Sequence, residues 1–268
     1  MNTRTLVVVP TLGIRPELLR LCLDSIRMQG IENLDLVVVA PPGPEIEAIT
    51  AEFGGAFVPD PEEGGQSGAI NAGIGAAAPG TAYFAWLGDD DLLRPHSLET
   101  AIRALADHPH APMVFGWCDY IDEAGNIVFV SRAGRLANRV LGWGPNLIPQ
   151  PGSLMRYDDV VAVGGVDENC RFAMDLDLFL RLRKRGELVA IPVVLAAFRR
   201  HADSITVRDE RDSLDEADRI RMGHMTPAAA RTYKYLRWPG RWALKAARRR
   251  VDRNARRQLA AVDSPARS

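Results

Sequence analysis

Three consecutive carboxylates, Asp89, Asp90 and Asp91, directly follow the apolar segment Tyr83–Leu87. Most acidic clusters in proteins are solvated turns. These three repel one another and adjoin a predicted buried strand, where they need a counter-ion. A hard divalent cation, Mg²⁺ or Mn²⁺, takes oxygen ligands of this kind. Such a cation would act as a Lewis acid toward a diphosphate leaving group.

A second acidic pair, Asp175 and Asp177, opens a predicted helix. The helix dipole favours acids in a first turn, which accounts for either residue without any catalytic role. Positions i and i+2 do not face each other on a helix, so we expect at most one of the two in a given site. A carboxylate there could serve as a general base toward a hydroxyl group.

Two further features bear on phosphate or metal binding. A lone histidine such as His201 is more often structural or solvated, but beside an acidic cluster it becomes a candidate third metal ligand or phosphate contact. Backbone N–H groups of the glycine-rich segment Gly64–Gly68 could contact a phosphate at the start of a helix. The segment matches neither a P-loop nor a dinucleotide fingerprint, and the chain has no GxSxG or HExxH motif.

The elements that must position these residues alternate along the N-terminal part of the chain. Strands are predicted at Thr5–Val9, Leu34–Val39, Phe57–Val58 and Tyr83–Leu87, and helices from Pro16 to Gly30, over Pro44–Phe53 and over Ser67–Ala77. This alternation predicts an α/β fold with a doubly wound, mostly parallel sheet flanked by helices. Ligands of such sheets bind at the carboxyl ends of the strands. We therefore expect Pro10–Arg15, Asp60–Gly68 and Asp89–Asp91 to face one crevice.

The second half of the chain has a less regular pattern. It predicts a hairpin of Met113–Tyr120 and Ile127–Val130, and a short strand within Gln150–Arg156. Helices are predicted over Asp158–Val163 and Met174–Arg185, followed by a strand over Leu188–Val194 and a polar, charged segment over Ser204–Met225.

Composition limits the classes of protein that remain. With 47% hydrophobic residues in 268, the chain can bury a sizeable core, and no apolar run approaches the ~18–20 residues of a membrane span. Pro10 and Arg15 interrupt the first apolar stretch too early for a signal peptide. The three cysteines are far apart, which predicts neither a disulfide framework nor a structural zinc site and favours a reducing, cytoplasmic location.

The charge is divided unevenly along the chain. Residues 231–268 hold 12 basic and two acidic residues, whereas the remainder holds 21 basic and 32 acidic ones. The acidic body makes nucleic acid an improbable partner. The aromatic, basic segment Arg231–Arg257 has two open interpretations: an amphipathic helix on an anionic membrane at the inner face, or a terminal helix packed on the domain. We expect a body over 1–225, with a donor half of about 1–95 and an acceptor half of about 96–225, and a basic helical extension over 226–268.

Six segments in order give the chain a recognisable pattern. They are VVVPTLGIRPELLRLCLDSI, GGQSGAINAGIGAAAPG, YFAWLGDDDLLRPHSL, PGSLMRYDDVVAVGGVDE, MDLDLFLRLRKRG and FRRHADSIT. Through them the chain resembles the family 2 glycosyltransferases, which have the GT-A fold. The resemblance implies a nucleotide-diphosphate sugar donor, a hydroxyl acceptor that is lipid-linked or a glycan, Mn²⁺ or Mg²⁺, and transfer with inversion. It points to cell-surface polysaccharide, glycolipid or glycosylated metabolite synthesis.

The resemblance also assigns roles to particular residues. Asp175 matches the catalytic base, and Asp90 matches the metal-binding acid, with Asp91 and His201 as further metal contacts. Trp117, Gly152 and Ser153 are weaker candidates for acceptor contacts. The implied donor-binding residues are Pro10, Thr11, Leu12, Arg15, Asp60, Ser67, Asn71 and Asp89.

Three departures from the family pattern concern the donor. Ala40 begins a segment where the family often carries an acid that contacts the base or ribose, which leaves the nucleobase preference open. Ile70 stands where an arginine often precedes the asparagine. Gly88 replaces the common first aspartate of the acidic motif, for which Asp89 is a candidate substitute.

Two alternatives accompany the glycosyltransferase interpretation. A sugar-nucleotide nucleotidyltransferase also uses acidic metal ligands on a doubly wound sheet, but its glycine-rich, basic signature is missing near Pro10–Gly13. A non-catalytic module that binds nucleotide sugar or membrane is the other. The joint presence of Asp90, Asp175 and His201 favours catalysis, and the sequence indicates no oligomeric state.

Overall fold

A computed structural model describes residues 3–61, 65–132, 134–200 and 210–235. Its strands are β1 Arg4–Pro10, β2 Leu34–Ala40, β3 Ala56–Pro59, β4 Thr81–Trp86, β5 Leu92–Leu93, β6 Met113–Ile121, β7 Ile127–Ser131, β8 Ser153–Arg156 and β9 Leu188–Arg199. Its helices are α1 Pro16–Arg27, α2 Pro44–Glu52, α3 Gly65–Gly75, α4 Ser97–Asp107, α5 Gly134–Val140, α6 Tyr157–Ala162, α7 Met174–Arg183 and α8 Glu210–Gly223. Residues 227–235 are also helical.

The strands form one sheet in the order β3-β2-β1-β4-β8-β6-β9-β5, with β7 paired to β6. The first four are parallel neighbours. β8 is antiparallel to both β4 and β6, so β6 and its parallel neighbour β9 run in the same direction as β1. Six of the nine strands in the described residues therefore share one direction, which brings their carboxyl ends to one side of the sheet.

Helices cover both faces of this sheet, as the unbroken apolar strands require. Along β1, Leu6 and Val8 face the core that also contains α3 and α7 residues, whereas Val7 and Val9 face the core formed with α1 and α4. All four are buried. This alternation follows from the two-residue period of a strand.

Gly73 allows α3 to lie directly on β1. A Cβ atom at this position would come within 2.4 Å of Val8 Cγ1, a distance that real Cβ contacts do not show. The missing side chain thus allows the close spacing between α3 and the sheet.

The predicted elements are largely present, with shifted ends. The hairpin of β6 and β7 is confirmed by its antiparallel register from Cys118↔Ser131 to Ile121↔Ile127. β9 is longer than predicted, because its pairing with β6 continues to Ile121↔Arg199. Leu92 and Leu93 form the two-residue strand β5 against β9. The next helix, α4, begins at Ser97.

The C-terminal part of the described chain packs on α7. The Tyr233 side chain is buried, and its hydroxyl donates to Asp218 Oδ1 on α8 at 2.7 Å. The Tyr233 ring also meets the Trp143 ring edge-on, with centroids 6.2 Å apart.

Most of the predicted basic extension, residues 236–268, lies outside the described residues. Within the part of the chain that is described, no helix combines the length and the hydropathy needed to cross a bilayer.

Candidate active site

In the acidic turn after β4, Asp89 and Asp90 contact the loop after β1, whereas Asp91 contacts the end of β9. Asp91 N–H donates to the Gly88 carbonyl, which closes the turn. A Cβ atom at Gly88 would lie 2.9 Å from Asp91 Oδ2 and 3.2 Å from Asp90 Oδ1. Glycine at this position therefore leaves room for the two carboxylates that follow.

The loop after β1 provides a counter-ion, the Arg15 guanidinium, for the carboxylates of the acidic turn. Arg15 donates from Nη2 to Asp89 Oδ1 at 3.2 Å and from Nη1 to Asp90 Oδ2 at 3.1 Å. The Thr11 hydroxyl donates to Asp89 Oδ2 at 2.5 Å and accepts from Gly13 N–H at 3.0 Å. Two segments that are far apart in sequence thus meet at one edge of the sheet.

The rest of this loop faces outward. Pro10 is buried at the end of β1, whereas Leu12 and Ile14 are 67% and 72% exposed. Asp60, which follows β3, lies at the same edge, because its N–H donates to the Ala40 carbonyl at the end of β2.

Asp91 turns inward, away from Arg15. Its side chain is buried, and Oδ1 accepts the Arg199 N–H at 2.9 Å. Burial, together with the neighbouring charge of Asp90, raises the pKa of Asp91 well above its usual range. The hydrogen bond to Asp91 therefore holds the acidic turn against the end of β9.

Arg199 is a site residue that the sequence analysis did not single out. Its buried guanidinium donates to the Asp90 carbonyl at 3.1 Å and to the carbonyls of Asp122 and Glu123 at 3.0 and 2.8 Å. It joins the acidic turn to the hairpin turn after β6. Its only sequence signal was its place in the FRRHADSIT segment. His201 lies two residues further on, outside the described residues.

Ser67 and Asn71 connect α3 to the segment that leads into α7. The Ser67 hydroxyl donates to the Cys170 carbonyl at 2.8 Å. The Asn71 side chain makes a two-way contact with Val166, donating to its carbonyl at 2.8 Å and accepting its N–H at 2.9 Å. These two predicted donor contacts thus link the donor half to the helix that carries Asp175.

Asp175 lies in the first turn of α7 and is partly enclosed. Burial raises its pKa to about 6, against the lowering effect of hydrogen bonds from backbone N–H groups and Asn146 and of the Arg221 charge. Leu176 N–H donates to Oδ1 at 2.7 Å, and Asn146 Nδ2 donates to Oδ2 at 2.8 Å. A carboxylate with this pKa is ionised at pH 7 and remains a competent proton acceptor.

Asn146 belongs to a short loop that contacts Asp175 at one end and the end of β4 at the other. Its Oδ1 accepts the Ile148 N–H at 3.1 Å, which fixes the amide so that Nδ2 faces Asp175. Four residues along, Gln150 Nε2 donates to the Trp86 carbonyl at 2.7 Å, at the end of β4 and just before the acidic turn. The segment 146–150 therefore connects Asp175 to the strand that carries Asp90. Sequence reasoning had no signal for Asn146.

Asp177 lies on another side of α7 with partners of its own. It forms an ion pair with Arg181 at 2.7 Å and a hydrogen bond with His224 Nε2 at 3.0 Å. Burial, the largest influence, raises the pKa of Asp177, but these two partners outweigh it and hold the pKa below its usual range. The expectation that Asp175 and Asp177 have separate surroundings is met.

The three weak acceptor candidates lie on β6 (Trp117), at the start of β8 (Ser153) and just before β8 (Gly152). Gly116 N–H donates to the Gly152 carbonyl at 2.9 Å, and Phe115 pairs with Ser153. The Ser153 hydroxyl is buried and donates to Pro149 at 2.9 Å, so it is engaged within the protein. The partly exposed Trp117 ring has the Arg132 guanidinium 5.2 Å from its centroid.

Asp90 is the carboxylate of the acidic turn that best fits a hard cation. It lies at the carboxyl edge of the sheet, retains partial exposure, and adds an oxygen ligand beside Asp89. A second group, Asp167, Cys170 and Asp177, has ligand atoms within 4.8 Å of one another. There, burial raises the pKa of Cys170 to about 12, which keeps the thiol protonated, and Asp177 already binds Arg181 and His224. Arg15 likewise pairs with Asp89 and Asp90, so the acidic turn is preferred as the candidate metal site for its position at the carboxyl edge of the sheet and for the protonated thiol in the other group.

The sequence model described as "Glycosyl transferase family 2" matches residues 6–162, more than half of the chain. The chain belongs to this family. A curated relative, protein y4gI of Sinorhizobium fredii, is 29% identical over 191 residues, which cover 67% of this chain and 20% of the relative. The family 2 chain thus spans about a fifth of the length of that relative.

Solved structures share the fold. Staphylococcus aureus TarS residues 1–349, in complex with UDP-GlcNAc, matches with a TM-score of 0.63 at 13% identity, covering 86% of this chain and 70% of TarS 1–349. Of the longer TarS chain, 42% is covered. Mannosyltransferase PcManGT of Pyrobaculum calidifontis, in complex with GDP-Man and Mn²⁺, matches at 0.60 and 18% identity over 98% of this chain and 76% of PcManGT. The predicted GT-A fold, with its mostly parallel sheet flanked by helices, is confirmed.

Proposed function

We propose that this family 2 protein transfers a sugar, with inversion, from a nucleotide-diphosphate donor to an acceptor hydroxyl. The observation that carries the proposal is the meeting of Thr11, Arg15, Asp89 and Asp90 at the carboxyl edge of the sheet, linked through residues 146–150 to Asp175. These contacts support a group of carboxylates suited to a divalent cation, connected to a proton acceptor. The solved relatives bind UDP-GlcNAc and GDP-Man, which supports a donor of this class.

In this proposal the donor lies along the carboxyl ends of β1, β3 and β4. One side of the donor is lined by the loop after β1, with Pro10, Thr11, Leu12 and Arg15. Asp60 lies on the other side of the donor. The exposed Leu12 and Ile14 give the loop after β1 an apolar surface suited to a nucleobase. Ser67 and Asn71 would act by holding α3 against the segment before α7.

Asp90 would hold Mn²⁺ or Mg²⁺, with Asp89 beside it. The Mn²⁺ in the PcManGT complex supports a divalent metal. When bound, such a cation stabilises the charge that develops on the departing diphosphate. We propose that Asp91 positions the turn through Arg199, given its buried contact, and His201 remains a predicted ligand outside the described residues.

Asp175 would remove the proton from the acceptor hydroxyl as the oxygen attacks the anomeric carbon. Its pKa of about 6 leaves it ionised at neutral pH, and the hydrogen bonds from Asn146 and Leu176 fix its direction. Single displacement by this oxygen inverts the configuration at the anomeric carbon. Trp117, Gly152 and Ser153 stay predicted acceptor neighbours.

The experiment is a sugar-release assay with UDP-, dTDP-, GDP- and CMP-sugars and Mn²⁺, followed by transfer to candidate hydroxyl acceptors. We expect turnover with one donor class, loss of turnover in EDTA and recovery on adding Mn²⁺ or Mg²⁺. Binding of a donor without any turnover would favour the non-catalytic alternative. Full activity in EDTA would reject the metal.

The membrane role of residues 231–257 also remains a proposal. Tyr235 is 82% exposed at the end of the described helix, whereas Tyr233 packs inward. Flotation with anionic and neutral liposomes, with and without residues 236–268, tests the role. We expect the full chain to float with anionic vesicles only. Equal partitioning of both forms would leave the packed-helix interpretation.

A further inference from the structure

Glu216 on α8 binds the backbone just ahead of the helix that carries Asp175. One of its oxygens, Oε1, accepts N–H groups of Phe172 and Ala173, each at 2.8 Å, and Oε2 accepts that of Arg171 at 3.2 Å. The carboxylate is buried, with 5% of the residue exposed. Three successive donors therefore converge on one acidic side chain from a distant part of the chain.

This contact caps the start of α7 through one of its three N–H groups. The first N–H groups of a helix have no partner within it, and a serine, threonine or aspartate side chain usually accepts one of them. Ala173, the N-cap residue of α7, makes no side-chain cap bond, and its own N–H donates to Glu216. The N–H groups of Arg171 and Phe172 belong to the segment that leads into the helix. A negative charge at this end also interacts favourably with the helix dipole.

The position of this cap gives it a functional consequence. Ala173, whose N–H it binds, is two residues from Asp175. Asn146, which precedes α7 in the sequence whereas Glu216 follows it, donates a hydrogen bond to the Asp175 carboxylate and is the other constraint on its position. Helix α7 is thus fixed at its first turn by α8, and small rotations of that turn would move Asp175 relative to the attacking hydroxyl.

We propose that Glu216 is a positioning residue for Asp175, so that α8 sets the geometry of the proton acceptor. The inference rests on the proposed function. A misplacement of about 1 Å in a catalytic group typically costs ~10²-fold in rate. Because Asp175 acts on the acceptor and not on the donor, the effect should fall on kcat and leave the donor KM unchanged.

The test compares Glu216→Gln, Glu216→Asp and Glu216→Ala in the full chain. Glutamine keeps one oxygen that can accept from Phe172 and Ala173, so it should retain most of kcat. Aspartate keeps the charge but is shorter by one methylene, so its carboxylate withdraws from the N–H groups. We expect kcat to fall by ~10²-fold for alanine and for aspartate to rank below glutamine, with unchanged donor KM.

Tyr233→Phe is the matched control for stability. It removes a buried hydrogen bond to Asp218 at the same packed corner without touching residues 171–173. Its kcat should equal that of the wild type even if its Tm falls. If the alanine variant does not fold, the order of glutamine above aspartate still decides the question.

Two failures are distinguishable. A wild-type protein that releases no sugar from any donor contradicts the proposed function. The other failure requires an active wild type and an inactive Asp175→Asn variant. If the Glu216 variants then keep the wild-type kcat, or lose kcat and donor affinity together, only the role of Glu216 is overturned.

Discussion

Asp90 and Asp175 are held by different kinds of structure. Asp90 follows β4, a mostly buried strand that is parallel to β1, and its side-chain partner Arg15 comes from the loop after β1. Asp175 lies on a helix whose first turn is fixed by Asn146 and by the backbone contacts of Glu216. The first carboxylate is placed by hydrophobic packing of a sheet, the second by buried polar contacts between distant segments.

The difference matters because the two kinds of structure respond differently to substitution. Apolar packing loses stability in proportion to the contacts removed. A buried polar network fails when one partner is left unsatisfied, and it also tunes the pKa of the groups it contains. We call the loop after β1 and the acidic turn the donor edge, and the first turn of α7 with the Glu216 contacts of α8 the α7–α8 corner. We therefore expect substitutions at the donor edge to change the free energy of unfolding. Substitutions at the α7–α8 corner should change the turnover rate and its pH dependence.

The largest expected effect separates the two aspartates of α7. Asp175→Asn should lower turnover by ~10²–10⁴-fold, because the proton acceptor is gone. Asp177→Asn should leave turnover near the wild-type value and lower the free energy of unfolding by about 2 kcal/mol, through the lost ion pair with Arg181. Rates and urea titrations of both variants check this. The reverse pattern would exchange their roles.

The pH dependence of stability gives the next effect. The pKa of Asp175 is raised to about 6 in the folded protein. The folded state therefore holds this proton more tightly than the unfolded state, and its contribution to stability falls as pH rises from about 4 to 6. At pH 8 the Asp175→Asn variant should exceed the wild type by up to roughly 3 kcal/mol in the free energy of unfolding.

The same proton sets the acidic limb of the rate profile. Activity should rise with pH through about 6 in the wild type. Equal stability of wild type and Asp175→Asn at pH 4 and pH 8 would contradict the raised pKa. The Asn146→Ala variant should move the limb to higher pH, since it loses a hydrogen bond that favours the ionised form.

A packing substitution tests the donor half. Gly73→Ala forces a Cβ atom into the space held by Val8 and should cost about 1–3 kcal/mol of stability. Gly75→Ala, two residues along the same helix with nothing within 4 Å of its Cβ, is the matched control and should be neutral or slightly stabilising. Chemical denaturation measures both. Equal stability of the two variants would mean that α3 does not lie this close to β1.

The smallest effect concerns a single buried hydrogen bond. Thr11→Val keeps the shape of the side chain but removes the donor to Asp89, and we expect a loss of about 1 kcal/mol. Thr11→Ser retains the hydroxyl and should lose less. Thermal unfolding at neutral pH distinguishes them. A Thr11→Val protein as stable as the wild type would show that this bond contributes nothing net.

The sequence indicated the donor half better than the α7–α8 corner for a physical reason. A strand such as Val7–Val9 is apolar because both faces of the sheet are covered, so its burial is visible in its own residues. β5, of two residues, exists only through its pairing with β9, and no local pattern predicts it. The length of β9 likewise depends on β6.

The α7–α8 corner was difficult because its buried groups are polar. Ser204–Met225 has the composition of a solvated segment, yet Ser213, Glu216, Asp218 and Arg221 are buried in it. Whether such a residue is buried depends on a partner elsewhere in the chain, and no periodicity records that partner. Asp175 was found through the family resemblance, and Arg199 lies in one of the resembling segments, whereas Asn146 and Glu216 lacked any signal that separates them from ordinary surface residues.

Calorimetry of nucleoside diphosphate binding, with and without Mn²⁺, shows whether the acidic turn is a metal-assisted donor site. Wild type and Asp90→Asn are compared for UDP, dTDP, GDP and CDP, and Asp177→Asn is a control away from the acidic turn. We expect one nucleotide to bind the wild type and the control in the presence of Mn²⁺, and Asp90→Asn to lose this metal-dependent binding. Binding of equal strength in all three proteins, with or without Mn²⁺, would contradict a metal-assisted donor site at the acidic turn.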